Sequence, residues 1–328
     1  MAVLQFREAL REAMAEEMRR DPDVFLIGEE VAEYNGAYKV SEGMLREFGP
    51  MRVVDAPISE AGFSGLGIGA AMVGMRPIVE FMTFSFSLVA FDQVVNNAPK
   101  MAYMSGGQFQ VPVVFRGISG PGQQLAATHS WSVEALYTHV PGLKVVVPTT
   151  PAEAKGLLKT AIRDNDPVIF LENESMYGNK GEVPDGDFLL PFGVADVKRE
   201  GLDCTIVAWG QGCLTALAAA EHLEKEHGIR CEVIDPRTLR PLDLPAIVRS
   251  VKKTGYCVTV ETGYPTCGIG AEIAALVHEH CFDDLDNHVV RVAALDVPMP
   301  YSKPLLQQVV PSVQRLADAV KKAVYFRG

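Results

Sequence analysis

Strand-length apolar runs separated by helices recur along this 328-residue chain, and that alternation leaves few architectures open. The runs at 24–27, 52–54, 77–81, 111–115, 144–147 and 167–172 are short and lack the polar alternation of half-exposed antiparallel strands. Between them the pattern predicts helices. The first carries Phe6, Leu10, Met14 and Met18 on one face and stops at Asp21-Pro22. Others are expected at 41–48, 87–104, 133–139 and 151–164, the last opened by Thr150. Parallel strands covered on both faces follow, and such sheets bind ligands beyond the carboxyl ends of their strands. The pattern pauses at 177–191, a polar stretch rich in glycine and proline, and then restarts. Strands are expected at 205–209, 231–234, 257–261 and 289–295, with helices at 213–227, 244–254, 270–280 and 312–325. The reading is two doubly wound α/β domains, 1–190 and 191–328.

Within the first domain the stretch from Asp55 to Met75 stands apart. It turns at Pro57, offers Ser59 as a helix N-cap, and carries Gly62, Gly65, Gly67, Gly69 and Gly74. Each interior glycine costs a helix about 0.5–1 kcal/mol against alanine, so another backbone is expected to approach closely. Glu60, in the first turn, is the lone ionisable group between Asp55 and Arg76. A first-turn glutamate ordinarily serves the helix dipole, whereas a carboxylate against an apolar surface can handle protons. Both readings stay open on the residues alone. Placement favours the second, because Glu29, Glu60, the loop after 77–81 and the loop holding His129 all follow expected strands.

Composition removes several function classes. With 30 basic against 41 acidic residues the formal charge is -11, which argues against nucleic acid and anionic membrane surfaces as partners. The cysteines, Cys204, Cys213, Cys231, Cys257, Cys267 and Cys281, form no CxxC pair and read as reduced, mostly buried thiols. No secretory signal opens the chain, and the apolar window 63–75 is too short to span a bilayer. An intracellular location is expected: cytoplasm, or the matrix of a mitochondrion or plastid where a presequence has been removed. Gly65, Gly67 and Ala70, with Glu80 near the end of the next strand, imitate a dinucleotide fingerprint, but the turn is already made by 57–62, so the glycines lie inside the helix. His278, Glu279, His280 and Cys281 do not converge as metal ligands on one helix face. No P-loop or GxSxG elbow occurs.

Six blocks carry a resemblance: LIGEEVAEYNGAYKVSEG (26–43), DAPISEAGFSGLGIGAA (55–71), EFMTFSFSLVAFDQ (80–93), QVPVVFRG (110–117), PGLKVVVPTTPAEAKGLL (141–158) and EVIDPRTLRPLD (232–243). In order and over essentially the whole chain they resemble β subunits of the thiamine-diphosphate-dependent pyruvate dehydrogenase component of 2-oxo acid dehydrogenase complexes. The resemblance implies a transketolase-type pyrimidine-binding domain followed by a transketolase C-terminal domain. It implies that Glu60 hydrogen-bonds a ring nitrogen of the aminopyrimidine and promotes the tautomer that deprotonates the thiazolium carbon. Phe86 would pack on the aminopyrimidine, with Ile58 and Met82 beside it. Glu29 would be an acid near the cofactor, on an acidic, water-filled path between active sites. His129 would handle substrate and the lipoyl group. A structural potassium ion would be held at Val113, Ala161, Ile162, Asp164 and Asp166, largely by backbone oxygens.

Relatives anchor the diphosphate through magnesium with a GDG motif and a later asparagine pair. Here Asp185-Gly186-Asp187 lacks the leading glycine and the trailing asparagines, while Asn96-Asn97 has no GDG before it. The resemblance therefore implies an α subunit that grips the diphosphate and Mg2+ in an α2β2 assembly. It also implies pyruvate as substrate and a dihydrolipoyl acyltransferase core as acceptor and partner. A branched-chain 2-oxo acid or acetoin dehydrogenase β subunit is the alternative within the class. Branched-chain relatives tend to carry glutamine and tyrosine where Met82 and Phe86 stand. A non-catalytic assembly scaffold is the alternative outside it, and joint retention of Glu60, Phe86 and His129 speaks against that.

Overall fold

In the computed structural model, which describes residues 1–122 and 124–325, the apolar runs are parallel strands. Gln123, inside the expected loop, and residues 326–328 lie outside the described residues. The chain divides into two compact units. The first comprises Met1–Ser119 and Leu136–Phe192, the second Gly120–Ala135 and the chain from Gly193 onward. The segment Gly120–Ala135, which the sequence pattern leaves in the first domain, thus clusters with the second unit.

The first unit runs β1 (Ala2–Gln5), α1 (Phe6–Arg20), β2 (Val24–Gly28), α2 (Met44–Phe48), β3 (Val53–Asp55), α3 (Glu60–Met72), β4 (Arg76–Phe81), α4 (Ala98–Met104) and β5 (Val114–Ile118). After α5 (Glu134–Thr138), which straddles the division, come β6 (Lys144–Val146), α6 (Pro151–Arg163), β7 (Val168–Glu172) and β8 (Lys180–Val183). Its parallel strands are ordered β6-β7-β5-β4-β2-β3. On α1, Phe6, Leu10, Met14 and Met18 are at most 1% exposed, so each contributes about 1.5–3 kcal/mol by burial. Its polar face meets α6, where Lys155 and Lys159 reach Glu16 at 2.7 Å each and Arg163 reaches Glu17 at 2.7 Å.

Several expectations shift, each for a local reason. The strand expected at 111–115 begins at Val114, because Pro112 has no N–H for the ladder and the Val113 N–H turns back to Val111 O at 2.8 Å. It then runs on through Arg116, a charge the apolar pattern does not admit. The helix expected at 87–104 is broken into a 3-10 turn at Phe84–Leu88, a π turn at Gln93–Asn97, and α4. Asn96 and Asn97 donate back to Asp92, so this asparagine pair is occupied by its own turn. The polar stretch 177–191 contains β8, which pairs antiparallel with the unforeseen β1. Ser59 stands at the N-cap position of α3, but its hydroxyl donates to Pro57 O at 3.0 Å and does not cap. Close packing of the glycine helix is real at Gly67, where a Cβ would lie 2.7 Å from Val79 Cγ2. At Gly69 nothing lies within 4 Å.

The second unit comprises β9 (Asp196–Arg199), β10 (Cys204–Ala208), α7 (Gly210–His227), β11 (Cys231–Asp235), β12 (Thr238–Arg240), α8 (Leu244–Thr254), β13 (Cys257–Val260), α9 (Ile269–Cys281), β14 (Val290–Val292), α10 (Lys303–Val309) and α11 (Val313–Ala323). Its sheet is ordered β14-β13-β10-β11-β9, parallel except for β9, a polar edge strand that apolar patterning does not reveal. Five cysteines are buried, Cys267 is exposed, and among the described residues none is joined in a disulfide. Burial pushes the Cys257 thiol up to about 12, as expected of an inert core residue.

Candidate functional site

The carboxyl ends of the first unit's strands gather acids. Glu29 follows β2, Asp55 ends β3, Glu60 opens α3, Glu80 lies in β4 and Glu172 ends β7. Asp55 is spent on structure: it accepts from the Ala32 N–H at 2.7 Å and the Glu33 N–H at 3.0 Å, which fixes the loop after Glu29. Gly28 makes room for the next strand, since a Cβ there would lie 2.6 Å from Glu80 O and 3.0 Å from Glu80 Cβ.

Glu60 is 6% exposed, and its carboxylate has no hydrogen-bond partner among the described residues. Glu29 is 9% exposed, and its Oε1 is buried without a partner. Burial, then the negative charges of Glu60 and Glu80, push the Glu29 carboxyl above the usual carboxylate range. A buried acceptor left unpaired beside a second acid calls for a donor.

Beneath them lies a fully paired charge cluster. Arg116 is 1% exposed. Its Nε and Nη2 donate to the two oxygens of Glu172 at 2.7 and 2.5 Å, and its Nη1 contacts Glu80. Tyr177 donates to Glu172 Oε2 at 2.6 Å. Burial would lower the Arg116 guanidinium, but the carboxylates of Glu172 and Glu80 outweigh it and hold it charged. Burial raises the Glu80 carboxyl, with Arg116 opposing. Sequence reading missed Arg116 and Glu172 and took Glu80 only as a false fingerprint residue. The signal was a charge within, at the end of, or directly after each of three apolar strand runs, since buried charges must find one another.

The loop after β4 carries the remaining first-unit positions. Met82 and Phe86 are half-buried. The 3-10 turn holding Phe86 is fastened by Ser87, whose hydroxyl reaches Phe84 O at 2.6 Å and the Tyr137 hydroxyl at 2.5 Å. Phe84 packs edge-on against Phe81 and Tyr137. Ile58 is 84% exposed on the turn before α3. It shares that exposure with Leu66 and Val73.

His129 belongs to the second unit, in a 3-10 turn at Ala127–His129. Its Nδ1 lies 2.9 Å from Thr128 Oγ1. The loop closes through the Gly120 N–H to Trp131 O at 3.0 Å.

The potassium positions lie where α6 ends and β5 and β7 begin. Val113 O accepts from the Val168 N–H, and Ala161 O from the Asp164 N–H. Ile162 O and Asp164 O both accept from Arg76 Nη1 at 3.0 Å. The carboxylates of Asp164 and Asp166 hold Lys144. Each of these carbonyls keeps a second lone pair. Among the described residues no group of three or more His, Cys, Asp and Glu could hold a metal ion. Asp185 contacts the N-terminal amine, and Asp187 the Arg163 and Lys159 side chains, so that acidic triplet is consumed in ion pairs.

Residues 2–180 match the transketolase pyrimidine-binding domain and residues 193–316 the transketolase C-terminal domain. The chain is 57% identical to the pyruvate dehydrogenase E1 component subunit beta of Rhizobium meliloti, over 99% of this chain and 71% of that one. It is 52% identical to the subunit of the same description from Rickettsia felis, over 98% of both chains. With the mitochondrial subunit from Mus musculus it shares 52% identity over 98% of this chain and 90% of that one. Among solved structures, a split-gene transketolase described as an inactive β4 tetramer superimposes with a TM-score of 0.80 at 26% identity, covering 99% of each chain.

Proposed function

This chain belongs to the family of pyruvate dehydrogenase E1 β subunits, and from that premise we propose that it supplies the pyrimidine half of a thiamine-diphosphate site for oxidative decarboxylation of pyruvate. Carbon dioxide leaves, and the acetyl group with two electrons passes to the lipoyl disulfide of a dihydrolipoyl acyltransferase core. The observation that carries this reading is Glu29 Oε1, buried and without a partner, close to the charge of the 6%-exposed Glu60 at the strand ends. A neutral, donor-bearing aminopyrimidine suits them, because it supplies hydrogen bonds without bringing a further charge to bury.

Thiamine diphosphate, when bound, contributes a thiazolium carbon that acts as nucleophile and electron sink. The protein's own residues do the rest. Glu60, at the first position of α3 and 6% exposed, would hold the ring nitrogen and take or return a proton at its carboxylate. Phe86 and Met82, on the fastened loop after β4, and Ile58, before α3, would supply apolar contacts to the ring. Glu29 is a second acid beside Glu60. His129, oriented through Thr128, handles substrate and lipoyl groups.

The diphosphate and Mg2+ belong to an α subunit in an α2β2 assembly. The chain lacks the GDG-to-asparagine pattern, and Ile58, Leu66 and Val73 leave apolar surface on and beside α3 for a partner. A potassium ion at the second lone pairs of Val113, Ala161, Ile162, Asp164 and Asp166 carbonyls is part of the same proposal. So is residence in the cytoplasm or an organelle matrix; no helix among the described residues is long and apolar enough to cross a membrane.

The test is Glu60→Gln reconstituted with the α subunit. The assembly should keep the size of the unaltered one, while pyruvate turnover falls about 10²–10⁴-fold, the worth of a positioned acid–base group. Unchanged turnover would overturn the reading, and faster turnover of branched 2-oxo acids than of pyruvate would reassign the substrate.

A further inference from the structure

The second unit buries a carboxylate that the chemistry above does not use. Glu261 follows β13, is 4% exposed, and accepts from the Gly270 N–H at 2.9 Å at the N-terminus of α9. Three glycines give it room. A Cβ on Gly268 or Gly270 would lie 2.6 or 2.8 Å from Glu261 Oε1, and one on Gly263 would lie 3.0 Å from Oε2. No other side chain could be added at those positions without displacing the carboxylate. The loop that carries His129 fastens to the same strand end. Ser132 Oγ is hydrogen-bonded to Thr262 Oγ1 at 3.3 Å, and Gly263 faces Ser132 Cβ. At its tip Gln124 donates to Tyr301 O at 3.1 Å.

The charges around Glu261 come from three sides. Glu134, at the end of the His129 loop, disfavours ionisation; Arg291, on β14, and the N–H groups of Ile269 and Gly270, on α9, favour it. Burial is the largest influence, and together they push the carboxyl up to about 7. Glu261 therefore exchanges its proton near neutral pH. Each time it ionises, repulsion of Glu134 bears on the loop.

We propose that Glu261 is a positioning residue for the reaction: seated in its glycine cradle, it holds the strand end to which the His129 loop is fastened, and its charge sets how firmly the loop is held. This rests on the reading of His129 as a substrate-handling residue, but its test does not. The measurement is amide hydrogen exchange of segment 120–135 in the α2β2 complex without cofactor, comparing variants with the unaltered protein at equal pH. At pH 8, Glu261→Gln should slow exchange of that segment about three- to ten-fold, since one nearby charge is removed. At pH 6 the two should coincide. Ser132→Ala should speed exchange at both pH values, because it cuts the fastening without touching the charge. The proposal is overturned if Glu261→Gln changes exchange equally at both pH values, or leaves it unchanged at pH 8. Full turnover in a His129 variant would remove the role of His129 and leave the exchange result standing.

Discussion

Replacing Arg116 by methionine removes the one cation from a cluster holding Glu80, Glu172 and Tyr177. Methionine fills similar space, so packing changes little and the carboxylates decide the outcome. Breaking a buried ion pair from one side costs about 3–5 kcal/mol, because the remaining charge is stranded. A stranded carboxyl avoids that by keeping its proton. Holding one neutral at pH 7 against an unfolded value near 4.3 costs about 3.7 kcal/mol, at 1.36 kcal/mol per unit. At pH 5 the same step costs about 1 kcal/mol. The sign follows from linkage: a carboxyl whose folded pKa is raised contributes stability below its unfolded pKa and loses it as pH rises toward the folded value. The Arg116→Met penalty in urea unfolding should therefore grow from about 1–2 kcal/mol at pH 5 to about 4 kcal/mol or more at pH 7. Adding Glu172→Gln should recover most of it. A penalty below about 1 kcal/mol at pH 7, or one that is flat between pH 5 and pH 7, would refute the reasoning.

Two glycines of α3 should respond to alanine with opposite signs. At Gly67 the methyl would sit 2.7 Å from Val79 Cγ2, so overpacking should outweigh the helix-propensity gain and cost about 1 kcal/mol net in thermal or urea unfolding. At Gly69, with nothing within 4 Å, the same change should stabilise the chain by about 0.5–1 kcal/mol. Cys267 is the exposed thiol among the described residues. A maleimide should label it in the native protein and leave Cys204, Cys213, Cys231, Cys257 and Cys281 for the denatured one, as mass spectrometry of the peptides would show.

Legibility tracked burial. Strands whose apolar residues face helices on both sides, such as β2 and β7, announce themselves in sequence because the whole run must be water-averse. β1, β8 and β9 do not: they keep one side in solvent and so read as loops. Arg116 misled for the opposite reason. A charge in a strand looks like an interruption until its partners, Glu80 and Glu172, are seen on the flanking strands. Glu60 was legible because it is alone among small apolar residues, whereas Glu261 was hidden by sitting in an ordinary strand end. Its signal was the run of glycines after it, which make room for a side chain elsewhere in sequence. The place of segment 120–135 in the second unit could not be read at all, since its fastenings to Thr262 and Tyr301 are single long-range hydrogen bonds.

The pairing of β1 with β8 has a consequence for synthesis. β1 must wait for Lys180–Val183 before it has anything to zip against, so it stays unpaired through most of the first unit's translation. The His129 loop waits longer still, for Thr262 and Tyr301. A nascent chain arrested between those points would carry β1 and β8 already paired with segment 120–135 still adrift.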